Sequence, residues 1–176
     1  RRIDLVNGFQ FGAIFLFALC VQATFTGAAE IERIRLQSGD VVLDVTPALG
    51  GRVLRFGLAD RPSLIKVGDP VASQPAPAVS PDADDIGYLG HDVWLGPQSG
   101  WWSDQHVNPA RRASKAVWPP DPYLAFAETR VVARSPERLV LEGIDSPVTG
   151  VRLLKAFVFD PVDPSTVIVT ATARNI

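Results

Sequence analysis

The sequence predicts an all-β fold, an antiparallel β-sandwich, for the chain that follows residue 29. Three observations predict it. Apolar and polar residues alternate in several segments, turn residues separate these segments at short spacing, and no segment after residue 30 has a helical period. Strands that alternate in this way bury one face, which is typical of a sandwich or barrel. The 176 residues are enough for one domain with a hydrophobic core.

The first predicted strands form a hairpin. Residues 31–37 alternate between apolar and polar, residues 38–40 (Ser-Gly-Asp) are a turn signal, and residues 41–46 (VVLDVT) are a β-branched run. After a break, residues 52–58 return to an extended pattern. Residues 63–67 are predicted to add a short strand.

Four further strands are predicted near the end of the sequence, at residues 123–134, 138–144, 151–159 and 166–173. The last of these has no closing turn before Ile176, so it would lie at the edge of its sheet unless another strand pairs with it. We therefore expect the β-sandwich domain, residues 30–176, to be the N-terminal part of a larger sheet protein.

A long irregular stretch, residues 68–122, separates the two groups of strands. It holds nine of the fifteen prolines, which exclude central strands, and it holds all four tryptophans and both histidines. Long loops in compact domains are usually functional or disordered. Since dense aromatic residues pack against something, we predict that this stretch forms the ligand surface.

Residues 1–29 are predicted to be a signal peptide. Arg1 and Arg2 precede an apolar run at residues 11–21, and small residues follow it, with cleavage expected after Ala29. The apolar core of such a leader forms a signal helix. The predicted location is periplasmic or secreted, and the alternative is an uncleaved membrane anchor at residues 8–29.

Composition excludes several classes of function. The net charge is −2 and no basic stripe occurs, so a nucleic-acid partner is not expected. Contact with a membrane is expected only through an uncleaved leader. The single cysteine, Cys20, lies in the leader, so a disulfide framework is excluded from the rest. Neither a cofactor nor a metal is predicted, because the acidic run at residues 82–85 fits no calcium loop and is better explained as solvated.

The candidate ligand-binding residues surround the tryptophans. Trp94, Trp101 and Trp118 could stack on the apolar face of a sugar ring, or they could cap the sandwich as a satellite core. Gln98 suits hydrogen bonds to sugar hydroxyls. The remaining two candidates are His91, a general acid or a structural histidine, and Arg52, a ligand contact or an ordinary strand residue.

Three local patterns resemble the galactose-mutarotase-like β-sandwich superfamily. The first is the corner Leu49-Gly50-Gly51-Arg52-Val53. The second pairs residues 90–98 (GHDVWLGPQ) with residues 118–122 (WPPDP), and this pair resembles a bacterial subgroup of the DUF4380 type. The third is the final strand, residues 167–175. The resemblance implies a mutarotase-like supersandwich that binds sugars on a concave face.

In active members of that superfamily, aldose 1-epimerases, a histidine and a late glutamate act as general acid and base. No residue here maps onto the glutamate, and neither His91 nor His106 lies in the epimerase histidine motif. The resemblance therefore implies an exported carbohydrate-binding domain, and any enzyme would be an aldose 1-epimerase-like isomerase. The alternative is a non-catalytic structural or protein-interaction module of the bacterial envelope.

Overall fold

A computed structural model describes residues 31–176 and contains two antiparallel sheets. The first sheet has the order β1–β2–β3, with β1 Ile34–Ser38, β2 Val41–Thr46 and β3 Arg52–Leu58. The second has the order β4–β5–β6–β7, with β4 Arg130–Ser135, β5 Arg138–Glu142, β6 Val151–Phe159 and β7 Val167–Asn175. The predicted all-β antiparallel fold is confirmed.

The two sheets bury one core between them. Alternate residues of β6 are buried along its whole length, as expected for a strand with one face on a core. The core combines side chains of both sheets, namely Ile34, Leu36, Leu43, Val45, Val53, Leu139, Leu141, Phe157 and Phe159. Burial of an aliphatic or aromatic side chain of this size contributes about 1.5–3 kcal/mol, so the sandwich depends mainly on this layer.

The predicted leader, with its signal helix and its possible anchor at residues 8–29, lies outside the described residues. Within residues 31–176, no helix is long and apolar enough to cross a membrane.

Two predicted strands differ from the structure. Residues 63–67 form no strand and contribute only an isolated bridge between Val67 and Leu89. Residues 123–134 are extended only from Arg130 onward, because α3 (Pro122–Ala125) comes first. Pro122 takes the first helical position, and the carboxylate of Asp121 accepts a hydrogen bond from the Tyr123 N–H, so local capping overrides the extended pattern.

The long connection between the sheets is folded onto the sandwich. It contains two further short helices, α1 (Pro70–Ser73) and α2 (Pro109–Ala113). A second apolar cluster joins it to the β2–β3 corner and to β3, and comprises Leu49, Leu54, Val71, Tyr88, Ala125 and Phe126. Gly50 permits the close approach of α3, since a Cβ at this positive φ would lie 2.4 Å from the Leu124 carbonyl oxygen.

One side of the sandwich is open, because within the described residues β7 pairs only with β6. The ladder is bounded by hydrogen bonds from Asp160 N to Thr166 O and from Ile176 N to Gly150 O. Antiparallel pairs alternate along a ladder, so residues 168, 170, 172 and 174 bond to β6. The intervening residues of β7 direct their N–H and C=O groups away from it.

An apolar cleft of about 340 Å³ lies beside this edge, between β3 and β7. Its walls combine Leu43, Val53, Phe56 and Ile65 with Val167 and Val169, and His91, Ser165 and Thr166 also line it. The cleft continues the core outward, so the open side of the sandwich is apolar.

The ladder geometry predicts that proline destabilises the domain to different extents at two adjacent positions. Thr170→Pro removes an N–H that bonds to β6, whereas Ala171→Pro removes one that points away from it. We expect Thr170→Pro to lower the free energy of unfolding by about 1 kcal/mol more than Ala171→Pro, as measured by urea denaturation. Equal losses for the two variants would contradict this hydrogen-bond pattern.

Candidate functional site

A buried ion cluster joins both sheets to the long connection. The Asp92 carboxylate accepts a hydrogen bond from Arg52 Nη2 of β3 at 3.0 Å and another from Lys155 Nζ of β6 at 2.7 Å. All three side chains are at most 6% exposed. Such pairs are stable only when hydrogen bonds satisfy the remaining polar atoms, and here backbone carbonyls do most of this.

The two cations of the cluster reach three backbone segments. Lys155 Nζ donates to the Gly50 carbonyl at 2.6 Å, and Arg52 Nη1 donates to the Leu89 carbonyl at 2.7 Å. Arg52 Nη2 also lies 3.4 Å from the Ala125 carbonyl oxygen. The cluster therefore holds the β2–β3 corner, the segment before His91 and α3 in one arrangement.

Asp92 also connects this cluster to the first exposed tryptophan. Trp94 Nε1 donates to Asp92 Oδ2 at 3.3 Å, and the Val93 N–H donates to Asp92 Oδ1 at 2.8 Å. The orientation of the Trp94 indole thus depends on a carboxylate that the interior of the sandwich holds in place.

Three tryptophans meet at the surface and are called the tryptophan cluster below: Trp94, Trp101 and Trp118. The Trp94 ring centroid lies 5.5 Å from that of Trp101 and 5.6 Å from that of Trp118, in edge-to-face geometry. Trp94 and Trp118 are 47% and 46% exposed, whereas Trp101 beneath them is 7% exposed. Pairs of this geometry are worth about 0.5–1.5 kcal/mol beyond their burial, so the cluster is a preformed aromatic surface.

The fourth tryptophan, Trp102, is fully buried and forms the support of the cluster. Its Nε1 donates to the Pro119 carbonyl at 2.8 Å, directly after Trp118 in the sequence. The Arg111 guanidinium lies over its ring at 4.5 Å and also bonds to the Pro81 carbonyl and to Asp84. Asp84 of the predicted acidic run is therefore paired with an arginine.

Gln98 connects the chain segments that carry Trp94 and Trp118. Its Nε2 donates to the Val117 carbonyl at 2.8 Å, which joins the segment after Trp94 to the residue before Trp118. The 3₁₀ turn at Gln98–Gly100 then leads into Trp101 and Trp102. The backbone at Trp101 is helical and not extended, and the indoles of Trp101 and Trp102 are both buried.

Asp121 is a buried carboxylate that fixes α3 to the loop before β6. Its Oδ2 accepts hydrogen bonds from the hydroxyl groups of Ser146 and Thr149. Burial raises the pKa of Asp121 above its usual range, and the hydroxyl and backbone donors offset only part of this effect.

A groove of about 310 Å³ lies against Trp101 and is called the Trp101 groove below. Its apolar wall comprises Leu95, Pro97 and Val148, and its polar atoms come from Asp104 and Thr149. Asp104 is exposed, and within the described residues no hydrogen bond or ion pair engages its carboxylate. The groove therefore combines an aromatic floor with an acceptor that is open to a ligand.

The structure brings four of the six predicted ligand residues together, Trp94, Gln98, Trp101 and Trp118. Arg52 is buried beneath them in the ion cluster. His91 is exposed, but it lines the cleft between β3 and β7, and no tryptophan lines that cleft. Its backbone pairs with Val53 in an isolated bridge, so His91 belongs to the open side of the sandwich.

Sequence reasoning assigned no role to Lys155 or Asp121. Lys155 lies in the alternating pattern of β6 and on its buried face, where a charged residue among apolar ones is the only sequence signal. Asp121 lies in the proline-rich segment at residues 118–122, and its position before Pro122 is a helix N-cap signal. Neither signal indicates the partner residues, which come from distant parts of the chain.

The fold and the site define an all-β domain with an aromatic surface that is held from within by a buried carboxylate. The chain belongs to the family described as domain of unknown function DUF4380, whose model matches residues 31–176. No curated protein and no solved structure matches it. The family description names no reaction.

Removal of the central carboxylate should strongly destabilise the domain. Asp92→Asn leaves two buried cations without a counter-charge, and we expect a loss of about 3–5 kcal/mol in the free energy of unfolding. The matched control is Asp60→Asn, because Asp60 and Arg61 form an exposed pair at 3.7 Å. The control should cost less than about 1 kcal/mol in the same urea titration. A small loss for Asp92→Asn would show that the cluster does not hold the sheets together.

The raised pKa of Asp121 predicts a pH-dependent stability difference. Because the folded-state pKa is raised, the group favours folding fully below its unfolded pKa and loses this contribution as pH rises through its folded pKa. Asp121→Asn cannot ionise. From about pH 4 upward, the wild type should therefore lose stability relative to Asp121→Asn, as followed by unfolding titrations at several pH values. A difference that is constant or has the opposite slope would contradict the direction of the shift.

Proposed function

We propose that this domain binds carbohydrate at the tryptophan cluster. The observation that carries the proposal is the half-exposure of Trp94 and Trp118 above a buried Trp101. The exposed half of each indole leaves apolar area in water, so stability of the fold does not by itself account for this placement. Their flat apolar faces suit the C–H face of a pyranose ring.

Preorganisation of the surface supports this proposal. Trp94 is oriented through Asp92, and the segments that carry Trp94 and Trp118 are joined by the hydrogen bond from Gln98 to the Val117 carbonyl. A rigid surface loses little conformational entropy on binding, which favours weakly bound, hydroxyl-rich ligands such as sugars. Gln98, Asp104 and Thr149 lie beside the rings as hydrogen-bonding groups.

The proposal concerns binding and assigns no catalytic step. We place the domain with the galactose-mutarotase-like sandwiches on the sequence patterns given above. His91, the one candidate acid, lies in the β3–β7 cleft and not among the tryptophans. We also propose that the domain is exported, to the periplasm or outside the cell, on the basis of the leader at residues 1–29.

A second candidate is a non-catalytic structural or protein-interaction module of the bacterial envelope. The burial of Trp101 and Trp102 together with Val148 favours it, because these residues form a satellite core of their own. Tryptophan is also enriched at the centres of protein interfaces, so the exposed pair would suit a protein partner. The two candidates differ in whether isolated glycans bind.

The test is a glycan array of neutral, amino and uronic-acid oligosaccharides probed with the wild type and Trp118→Ala. We expect glycan binding by the wild type and a loss of at least about tenfold in Trp118→Ala, because a stacking face of this kind contributes more than about 1.4 kcal/mol. Val117→Ala is the matched control, since Val117 is the exposed neighbour of Trp118 and only its backbone carbonyl, which accepts a hydrogen bond from Gln98 Nε2, contributes to the cluster.

Folding of each variant is checked by circular dichroism and by thermal unfolding. If no glycan binds, or if Val117→Ala loses as much binding as Trp118→Ala, carbohydrate recognition at the cluster is wrong. Binding of a protein from the envelope in place of any glycan would favour the second candidate.

A further inference from the structure

The Trp101 groove and the tryptophan cluster share one residue. Trp101 packs against both exposed indoles, with centroids 5.5 Å from Trp94 and 6.5 Å from Trp118, and it also lines the groove. A ligand that stacks on Trp94 or Trp118 therefore has the groove directly beside it. The volume of about 310 Å³ falls within the usual range of small-ligand sites, roughly 300–1,000 Å³.

We infer, on the basis of the proposed function, that the Trp101 groove is a second sugar subsite that takes neutral or amino sugars and rejects acidic ones. Asp104 is the residue that sets this preference. The ligand is then an oligosaccharide of at least two units, with one ring stacked on the cluster and its neighbour in the groove.

The charge of the groove carries this inference. Asp104 is the only charged residue among those that line it, and within residues 31–176 its carboxylate has no protein partner. An ionised carboxylate accepts hydrogen bonds from sugar hydroxyls and more strongly from an ammonium group. It repels the carboxylate of a uronic acid, and no basic residue of the groove offsets this repulsion.

The basic side chains of the buried ion cluster do not supply that compensation. Arg52 and Lys155 are 6% and 3% exposed, and both are already bonded to Asp92. Thr149 offers only lone pairs to a ligand, because its hydroxyl hydrogen is donated to Asp121. The groove therefore presents acceptors to its ligand, which matches hydroxyl and ammonium donors.

The experiment compares the wild type with Asp104→Asn and Asp104→Lys on the same array of neutral, amino and uronic-acid oligosaccharides. The wild type should bind amino and neutral sugars in preference to uronic acids. Asp104→Asn should weaken this preference, and Asp104→Lys should shift the ratio of uronic-acid to amino-sugar binding by about tenfold or more toward the acid. Asp60→Lys makes the same change in net charge at an exposed position after β3 and should leave the ratio unchanged.

Chain length tests the second subsite. Disaccharides should bind more tightly than the corresponding monosaccharides in the wild type, and this gain should be lost in Gly100→Trp, which fills the groove. An equal affinity for both lengths, or a ranking of sugars that stays the same in Asp104→Lys, overturns the inference about the groove. If glycans bind the wild type and Trp118→Ala loses this binding, the proposed function is unaffected by that result. Absence of all glycan binding overturns both.

Discussion

The structure depends on one buried carboxylate. Asp92 lies in a loop, yet it bonds to an arginine of the first sheet and to a lysine of the second. Charges in an interior are tolerated only as pairs with further hydrogen bonds, so the three side chains and the carbonyls around them must be present together. The packing of the two sheets and the course of the loop are in this way coupled.

That coupling explains how an irregular stretch of chain can present rigid side chains. The residues between β3 and β4 have little regular structure. Their conformation is nevertheless restricted, because they form apolar clusters and hydrogen bonds with β3, β6 and the β2–β3 corner. Trp102 and Asp121 provide two further buried anchors beneath the surface. The exposed indoles thus rest on groups that are themselves held in place, which is the arrangement that a binding surface requires.

The open side of the sandwich is a separate region with different chemistry. The outward backbone groups of β7 lie beside the apolar cleft, which His91 lines and no tryptophan lines. Within residues 31–176 the outer edge of this nine-residue strand is unpaired, and Arg174 is the one charged residue that it carries against association with another strand. The tryptophan surface, by contrast, is polar at its margin and built on closed packing.

The sequence by itself determined the strands, because period-two alternation and turn residues act over a few positions. The bounds of β2, β3 and β6 agree with the prediction for that reason, and the tryptophan-rich stretch could be recognised from composition alone. Only the tertiary structure decided which indoles are exposed, that Arg52 is an internal ion partner, and that His91 faces another cleft. These outcomes depend on contacts between residues far apart in the chain, such as Lys155 with Gly50, and local patterns carry no information about such distances.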